Sequence, residues 1–226
     1  MKQRVGYLPE EPTMGEDDMT GAFKAAFSRP WYAKWDVNRY RELLRIFEVE
    51  DGIKLGKMSK GMRRKYDFIL SMVHQPELLL LDEPSSGLDP LAWRLMIDVL
   101  HRYMETGERT VIMASHIVEE VKRLADYIVF MAGGRILGCY EKDELLGGWH
   151  SFYIHKEGLT EAQAAAMPGQ RRIDHSGSAL KVVTELAFEA ETWCREQGIL
   201  IVHRHPMELE DILAELLEKE RIRTRS

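Results

Sequence analysis

Apolar and polar positions between residues 78 and 136 alternate in blocks, which predicts buried strands separated by amphipathic helices. The run LLLL at 78–81 has no polar interruption and predicts a parallel strand covered on both faces. A helix begins near Pro90 with Asp89 as its N-cap, and RTVIMASH predicts a second buried strand. Another helix and a third strand follow within IVEEVKRLADYIVFMAGGRI. This order of elements predicts an α/β fold built on a parallel sheet.

The segments on either side of this core follow other patterns. Residues from about 14 to 60 predict a mostly helical arm, which the proline-broken aromatic loop FSRPWYAKWD interrupts. Beyond residue 148, short strands such as SFYIH and ALKVVT alternate with helical stretches, which predicts a small α+β region. We therefore expect a core domain over residues 1–148 and a C-terminal accessory region over 149–226.

Polar side chains follow two of the predicted strands, at the point where each strand ends. Asp82 and Glu83 come directly after LLLL, and Ser115 and His116 follow the next strand. Ligands of open α/β sheets bind at this edge, so the two pairs are expected to face one site. A carboxylate here can hold Mg²⁺ through its water shell, and its neighbour can polarise an attacking water. The alternatives are a solvated acidic turn and, for His116, a histidine satisfied within the core.

A second candidate site lies at the start of the helix that follows Ser59. This serine is a natural N-cap, and Gly61 leaves room for a ligand to approach the free N–H groups of the first turn. Three basic residues follow and add positive charge, namely Arg63, Arg64 and Lys65. The pattern indicates an anion site, and the alternative is an ordinary capped helix.

Composition and charge narrow the choice of partner and location. Hydrophobic residues make up 45% of the chain and charged residues 30%, which is typical of a soluble globular protein. The net charge of -6 argues against nucleic acid as the main partner. The sequence has no apolar run of the roughly 18 residues that a membrane span requires, and no secretion signal. Cys139 and Cys194 lie far apart, which suits a reducing cytoplasm and gives no metal framework.

Taken together, the motifs resemble the nucleotide-binding subunit of ABC transporters from residue 3 to about 145. MSKGM is similar to the LSGGQ signature of that family, and LLLLDE is similar to its Walker B strand. SGLD resembles the D-loop, and SH at 115–116 resembles the switch histidine. VGYLPEEP is similar to the Q-loop region, with Glu10 in place of the usual glutamine. WYAKWD, SKGM and MELEDILAEL resemble the bacitracin- and acetoin-type export ATPases.

The resemblance implies a core like that of P-loop NTPases and an ATPase coupled to transport, with ATP and Mg²⁺ as cofactors. It places catalysis on Glu83 and His116, and magnesium on Asp82 through water. It also implies four nucleotide-binding residues, which are Ser59, Gly61, Asp89 and Glu10. The implied partners are a transmembrane permease subunit and a second ATPase subunit, identical or different, with no nucleic acid. The implied location is cytoplasmic, peripheral on the inner face of the cell membrane.

One motif of this family, the Walker A sequence GxxxxGKS/T, is not found in the 226 residues. GIKLGKMS at 52–59 has three residues between its glycines instead of four, and Met58 where a hydroxyl should bind magnesium. We therefore expect a chain truncated before Walker A that is inactive alone but completes a partner's ATP site through its signature. In the family the P-loop strand is expected beside the Walker B strand, so its loss should leave an apolar edge open.

Other interpretations of the same residues stay open. A non-hydrolysing regulatory or binding module would keep the signature and dock on a membrane or ATPase partner. A gene fragment would arise from truncation or from a misplaced start codon. Soluble ABC proteins of translation or repair usually carry two cassettes or a long coiled insert, and the sequence has neither pattern.

Overall fold

The apolar run at 78–81 forms the central strand of a parallel sheet in the computed structural model, which describes residues 2–105 and 107–225. This strand, β2 (Leu78–Asp82), pairs in parallel with β1 (Val5–Leu8) on one side and β3 (Thr110–Ala114) on the other. The predicted α/β core with a parallel sheet is confirmed. Its helices are α1 (Gly21–Ser28), α2 (Val37–Ile46), α3 (Lys60–Met72), α4 (Pro90–Met104) and α5 (Val118–Leu124).

Two of these helices begin where the sequence predicts. The Asp89 carboxylate accepts hydrogen bonds from the backbone N–H groups of Leu91 and Ala92, both at 2.9 Å, at the start of α4. The Ser59 hydroxyl accepts from the N–H of Met62 at 3.2 Å at the start of α3. An N-cap of this kind stabilises a helix by about 1 kcal/mol because it satisfies N–H groups that the first turn leaves free.

The sheet is covered on one face only by the elements that lie before residue 125. Leu79 and Leu81 point into a core built mainly from α2, α3 and α4 and are 0% and 2% exposed. On the opposite face Tyr7, Leu80 and Ile112 form a row in register across the three strands. Tyr7 is 56% exposed and Ile112 is 57% exposed. The expectation that this strand is covered on both faces is therefore wrong within this part of the chain.

The third predicted strand does not join the parallel sheet. Strand β4 (Tyr127–Ala132) instead pairs antiparallel with β5 (Arg135–Glu141). The turn between them is Gly133–Gly134, and both glycines have positive φ, at 54° and 74°. A Gly-Gly pair favours such a two-residue hairpin because glycine adopts this conformation without steric cost.

The position expected beside the Walker B strand for a P-loop strand is occupied. Because β2 has β1 and β3 as neighbours, neither of its edges is open. Among the described strands of this sheet, β1 and β3 each have a partner on one side only. The expectation of an open edge at β2 is therefore wrong, and the unpaired edges belong to β1 and β3.

The chain divides into two units by its internal contacts, one up to Leu124 and one from Ala125. In the second unit, after helix α6 (Lys142–Gly148), the elements run strand, helix, strand, strand, helix, strand. The elements are β6 (His150–His155), α7 (Glu161–Ala165), β7 (Gln170–Ser176), β8 (Ala179–Thr184), α8 (Ala187–Glu196), β9 (Ile201–Pro206) and α9 (Leu209–Arg225). The four strands form one antiparallel sheet in the order β7-β8-β6-β9, which is a split β-α-β arrangement and agrees with the predicted α+β region.

The domain boundary near residue 148 stays a prediction. By internal contacts, residues 125–148 group with the second unit.

The aromatic loop of the helical arm turns two of its four rings inward, those of Tyr32 and Trp35. The Tyr32 ring lies 4.1 Å from the ring of the buried His74, measured between centroids, and Trp35 packs against the core. Trp31 is 68% exposed. On the preceding helix α1, Phe23 and Phe27 are also exposed. The exposed aromatic surface of the arm therefore runs along α1 to Trp31 and does not include the rest of the loop.

Candidate functional site at the carboxyl edge of the parallel sheet

The polar residues that follow β2 and β3 lie side by side. Asp82 is in register with Ala114, and the Glu83 N–H donates to the Ala114 carbonyl at 2.9 Å. His116 lies two residues after Ala114, the last residue of β3. The parallel register of the two strands thus brings both polar endings to one edge, as the sequence predicts.

Glu83 and His116 form an ion pair at this edge. Glu83 Oε2 lies 2.7 Å from His116 Nδ1, and the histidine side chain is 80% exposed whereas the glutamate is 19% exposed. The hydrogen bond to Glu83, followed by its negative charge, raises the pKa of His116 above the ordinary value of 6.5. Glu83 has a φ of 45°, in the left-handed region that residues other than glycine rarely adopt. Such strain persists where the surroundings fix it, and it is frequent at functional sites.

Titration of His116 tests this pair. In the wild-type chain we expect the His116 ring signals in an NMR titration to change at a pH above 6.5, because Glu83 favours the charged imidazole. The pair stabilises the folded chain below the ordinary histidine pKa, and this contribution is lost as pH rises through the raised pKa.

The matched variants for this titration are Glu83→Gln and Glu119→Gln. Glu83→Gln should lower the pKa of His116 toward its ordinary value. Glu119→Gln removes an exposed acid that pairs with Arg123 and should leave the titration unchanged. An unaltered His116 titration in Glu83→Gln would contradict the pair.

The acids at this edge fit magnesium held together with a nucleotide. Magnesium binds proteins through one or two carboxylates and completes its coordination with water and phosphate oxygens. Asp82 and Glu83 supply this type of donor at the end of β2. Among the described residues, no group of three or more His, Cys, Asp or Glu side chains is placed to hold a metal ion. Magnesium binding at Asp82 stays a prediction.

The start of α3 is capped by Ser59 and packs closely on the turn after β2. A Cβ atom at Gly61 would lie 2.8 Å from the carbonyl oxygen of Gly87, so the glycine is required for this contact. Gly87 has a φ of 79°, and the stem of Lys60 lies over it. The sequence suggests that a ligand approaches Gly61 closely. In the described chain the backbone of Gly87 makes this close approach.

Two of the three basic residues expected to strengthen an anion site point elsewhere. Arg63 is buried and pairs with Glu16 and Asp67, at 2.6 and 2.8 Å. Arg64 is buried and donates to backbone carbonyl groups. The expectation that Arg63 charges the helix start is wrong, because the carboxylates of Glu16 and Asp67 compensate its charge. Carbonyl acceptors do not neutralise Arg64, so the charge that it adds near the helix start stays a prediction.

The remaining predicted nucleotide-binding residues have local roles in the structure. The pKa of Asp89 is lowered by the N–H groups of Ala92 and Leu91, which its carboxylate caps. The Glu10 side chain is exposed, and its carbonyl oxygen accepts a hydrogen bond from Arg64. Contact of Ser59, Asp89 or Glu10 with a nucleotide stays a prediction.

Sequence reasoning missed the role of Arg64 and of Glu120. The Ser115 hydroxyl donates to the buried Glu120 carboxylate at 2.7 Å, which fixes the exit of β3 next to His116. Arg64 lies one helical turn before the fully buried Phe68, a spacing that places both on one face of α3. That spacing was the available signal that the arginine is buried.

The sequence of this chain is similar to those of known ATP-binding proteins. An uncharacterized ABC transporter ATP-binding protein of Nostoc sp. is 33% identical over 160 residues, which cover 68% of this chain and 48% of the relative. The Nod factor export ATP-binding protein I of Cupriavidus pinatubonensis is 27% identical over 227 residues, which cover 97% of this chain and 69% of the relative. The chain belongs to the family of ABC transporter ATP-binding proteins.

Further comparisons concern the fold of the chain and the share of its relatives that it covers. A solved structure titled "Structure of ATP binding subunit of ABC transporter" is similar in fold, with a TM-score of 0.57 at 24% identity over 64% of this chain and 61% of that chain. A family model described as "AAA domain, putative AbiEii toxin, Type IV TA system" matches residues 27–122. The ABC transporter chain described here spans about half the length of the Nostoc relative. In the part of it that the structure describes, no helix is both long and apolar enough to cross a membrane.

Proposed function

We propose that this chain is the hydrolytic and signature-bearing part of the ATP-binding subunit of an ABC export transporter. The observation that carries the proposal is the Glu83–His116 pair, at 2.7 Å, on the carboxyl edge of the parallel sheet. In this role Glu83 orients and polarises the attacking water, and His116 donates to the terminal phosphate of ATP. Asp82 holds Mg²⁺ through its water shell, and the ion supplies positive charge to the phosphates.

The grip on the phosphates comes from polypeptide outside these 226 residues, in the same or another molecule. A P-loop is a strand, a GxxxxGKS/T loop and a helix, and the loop's backbone N–H groups and lysine hold the phosphates. Two features support such an addition, namely the edge of β3 that no described strand pairs with and the open row of Tyr7, Leu80 and Ile112. An added strand and helix would bury both.

Ser59 and Gly61 act on the nucleotide of a second ATPase subunit, identical or different. The first turn of α3 carries N–H groups that the Ser59 cap satisfies only in part, so a phosphate of the partner's ATP can bind there. The chain then completes a partner's site even where it has no phosphate grip of its own.

Complementation in trans tests this division of labour. The P-loop-bearing form is defined as these 226 residues preceded by a strand–GxxxxGKS/T–helix segment. We expect Ser59→Ala combined with Gly61→Asp in that form to reduce ATP hydrolysis about 100-fold, the effect of losing a preorganised donor to the reacting group. Adding the unmodified 226-residue chain, which brings an intact signature, should restore hydrolysis in a phosphate-release assay.

The control for this experiment is the 226-residue chain with the same two substitutions, which should restore nothing. Failure of the unmodified chain to restore activity, while the unmutated P-loop-bearing form hydrolyses ATP, would contradict the signature role. That outcome would favour the second candidate, a non-hydrolysing binding or regulatory module, which the lack of a GxxxxGKS/T sequence in these residues supports.

The export role and the membrane partner follow from the relatives and from the arm. The Cupriavidus relative is named for Nod factor export, which supports an export ATPase with a transmembrane permease subunit. Phe23, Phe27 and Trp31 are 56%, 62% and 68% exposed and recur every four residues along α1 and the turn after it. Exposed aromatic residues of this kind are typical anchors of protein interfaces. Docking there would hold the chain peripherally on the inner face of the membrane.

Removing this aromatic surface should separate the chain from its membrane subunit. We expect Phe27→Ala with Trp31→Ala to reduce co-purification of the membrane subunit with tagged protein at least about tenfold, because truncated interface anchors commonly cost 2 kcal/mol or more. Leu91→Ala, at a residue that is 67% exposed on α4, is the control and should change nothing. Equal co-purification of all three proteins from detergent-solubilised membranes would count against the surface.

A further inference from the structure

Arg64 is a buried side chain whose donors are all directed at backbone carbonyl groups. It lies in the second turn of α3 and is 6% exposed. An arginine has five N–H donors in a rigid planar fork. Its five hydrogen bonds go to the carbonyl oxygens of Pro9, Glu10, Asp82, Glu83 and Pro84.

The five acceptors belong to two segments that are far apart in the chain. One segment is the exit of β1, where the Glu10 carbonyl accepts from Nη1 at 3.1 Å. The other is the turn after β2, where the Pro84 carbonyl accepts from Nε at 3.1 Å and the Glu83 carbonyl from Nη2 at 2.5 Å. A single guanidinium thus joins the loop after β1 to the turn that carries Glu83.

The second segment is the one with strained backbone. Glu83 has a positive φ of 45°, and its carbonyl and that of Asp82 both accept from Arg64 Nη2. The Glu83 N–H donates to Ala114, and its carboxylate pairs with His116. The hydrogen bonds from Arg64 therefore help to hold the backbone of Glu83 at its positive φ.

We propose that Arg64 is a positioning residue that couples the loop at residues 9–10 to the orientation of Glu83. A shift of the loop changes the carbonyl positions available to Nη1, and the rigid fork transmits that shift to the carbonyls held by Nη2. The carboxylate of Glu83 then turns relative to His116. This inference rests on the proposed function for its catalytic consequence, but the coupling itself is a property of the folded chain.

Lysine at position 64 tests the coupling. Its ammonium group is a single point with three donors, so it can serve one of the two segments but cannot span both as a planar fork does. In hydrogen–deuterium exchange of the full chain, Arg64→Lys should speed exchange at least about tenfold in peptides covering both 8–13 and 82–88. Peptides covering 150–184, in the second unit, should exchange as in the wild type.

Arg63→Lys is the matched control, because Arg63 is equally buried on the same helix but pairs with Glu16 and Asp67. It should speed exchange around residue 16 and leave 82–88 unchanged. Three outcomes would overturn the coupling: no change in Arg64→Lys, a change in only one of its two segments, or faster exchange throughout the chain.

The P-loop-bearing form supplies the functional readout. We expect Arg64→Lys to lower kcat for ATP about 10- to 100-fold, as a small misplacement of a reacting group does, with KM changed less than about twofold. Its melting temperature should equal that of Arg63→Lys, which separates positioning from a loss of fold. If Arg64→Lys keeps full kcat while the wild type hydrolyses ATP, the coupling to Glu83 is wrong. If the wild type does not hydrolyse ATP, the proposed function fails, and the exchange data alone decide the coupling.

Discussion

Glu83→Gln in the P-loop-bearing form will reduce ATP hydrolysis by about 100- to 10,000-fold, the usual contribution of a positioned general base. Glutamine keeps the size of the side chain but cannot accept a proton from water or hold a charged His116. Binding of ATP should persist, because it depends on the P-loop and on the partner's Ser59 and Gly61. The variant should accumulate as an ATP-bound dimer, because the dimer dissociates only after ATP is hydrolysed.

Size-exclusion chromatography after incubation with Mg-ATP will detect this dimer, and a phosphate-release assay will measure the turnover. Asp82→Asn is the matched variant, since it removes the neighbouring charge at the same strand end. It should lose magnesium-dependent ATP binding as well as hydrolysis, so no dimer should form. Near-full turnover in Glu83→Gln would show that the catalytic carboxylate is wrongly assigned and would make His116 the main candidate.

The parts of the site that the sequence predicts are those built by neighbours in the chain. Asp89 caps its helix through Leu91 and Ala92, two and three residues away, so propensity alone predicts the contact. The meeting of Glu83 with His116 follows from a topological rule, because consecutive parallel strands end at the same edge. These predictions needed no knowledge of how distant segments pack.

The parts that could not be predicted depend on contacts between distant segments. Arg64 and Glu10 are 54 residues apart. Every residue has a backbone carbonyl group, so the residue type does not indicate which carbonyl accepts the hydrogen bond. The hairpin of β4 and β5 differs from the predicted parallel strand for another reason. An apolar run such as YIVFMA is compatible with a parallel strand or a hairpin, and only Gly133–Gly134 favours the hairpin.

The aromatic loop of the arm shows the same limit. Trp31 and Trp35 are the same residue type within one loop, yet the first is exposed and the second packs against the core. Their difference depends on a turn at Arg29–Trp31 and on the position of His74 beneath Tyr32. The exposed face of the sheet at Tyr7, Leu80 and Ile112 could not be predicted either. The run LLLL indicates burial, but it does not indicate which element packs against each face.

Weak binding of Mg-ATP by the 226-residue chain is the second large effect that we expect. The residues at the sheet edge are two acids and one histidine, so two of its three titratable groups repel a triphosphate. The lysine and the ring of N–H groups of a P-loop supply most of the attraction in P-loop proteins. A dissociation constant near 1 mM corresponds to about 4 kcal/mol of binding free energy, and one near 1 μM to about 8 kcal/mol.

Isothermal titration calorimetry with Mg-ATP on the 226-residue chain and on the P-loop-bearing form is the most direct test that the chain holds the hydrolytic edge without the phosphate grip. We predict no saturable heat for the 226-residue chain below about 1 mM nucleotide, and micromolar binding for the P-loop-bearing form. Micromolar binding of Mg-ATP by the 226-residue chain alone would contradict the account, because the phosphates would then be held by residues within it.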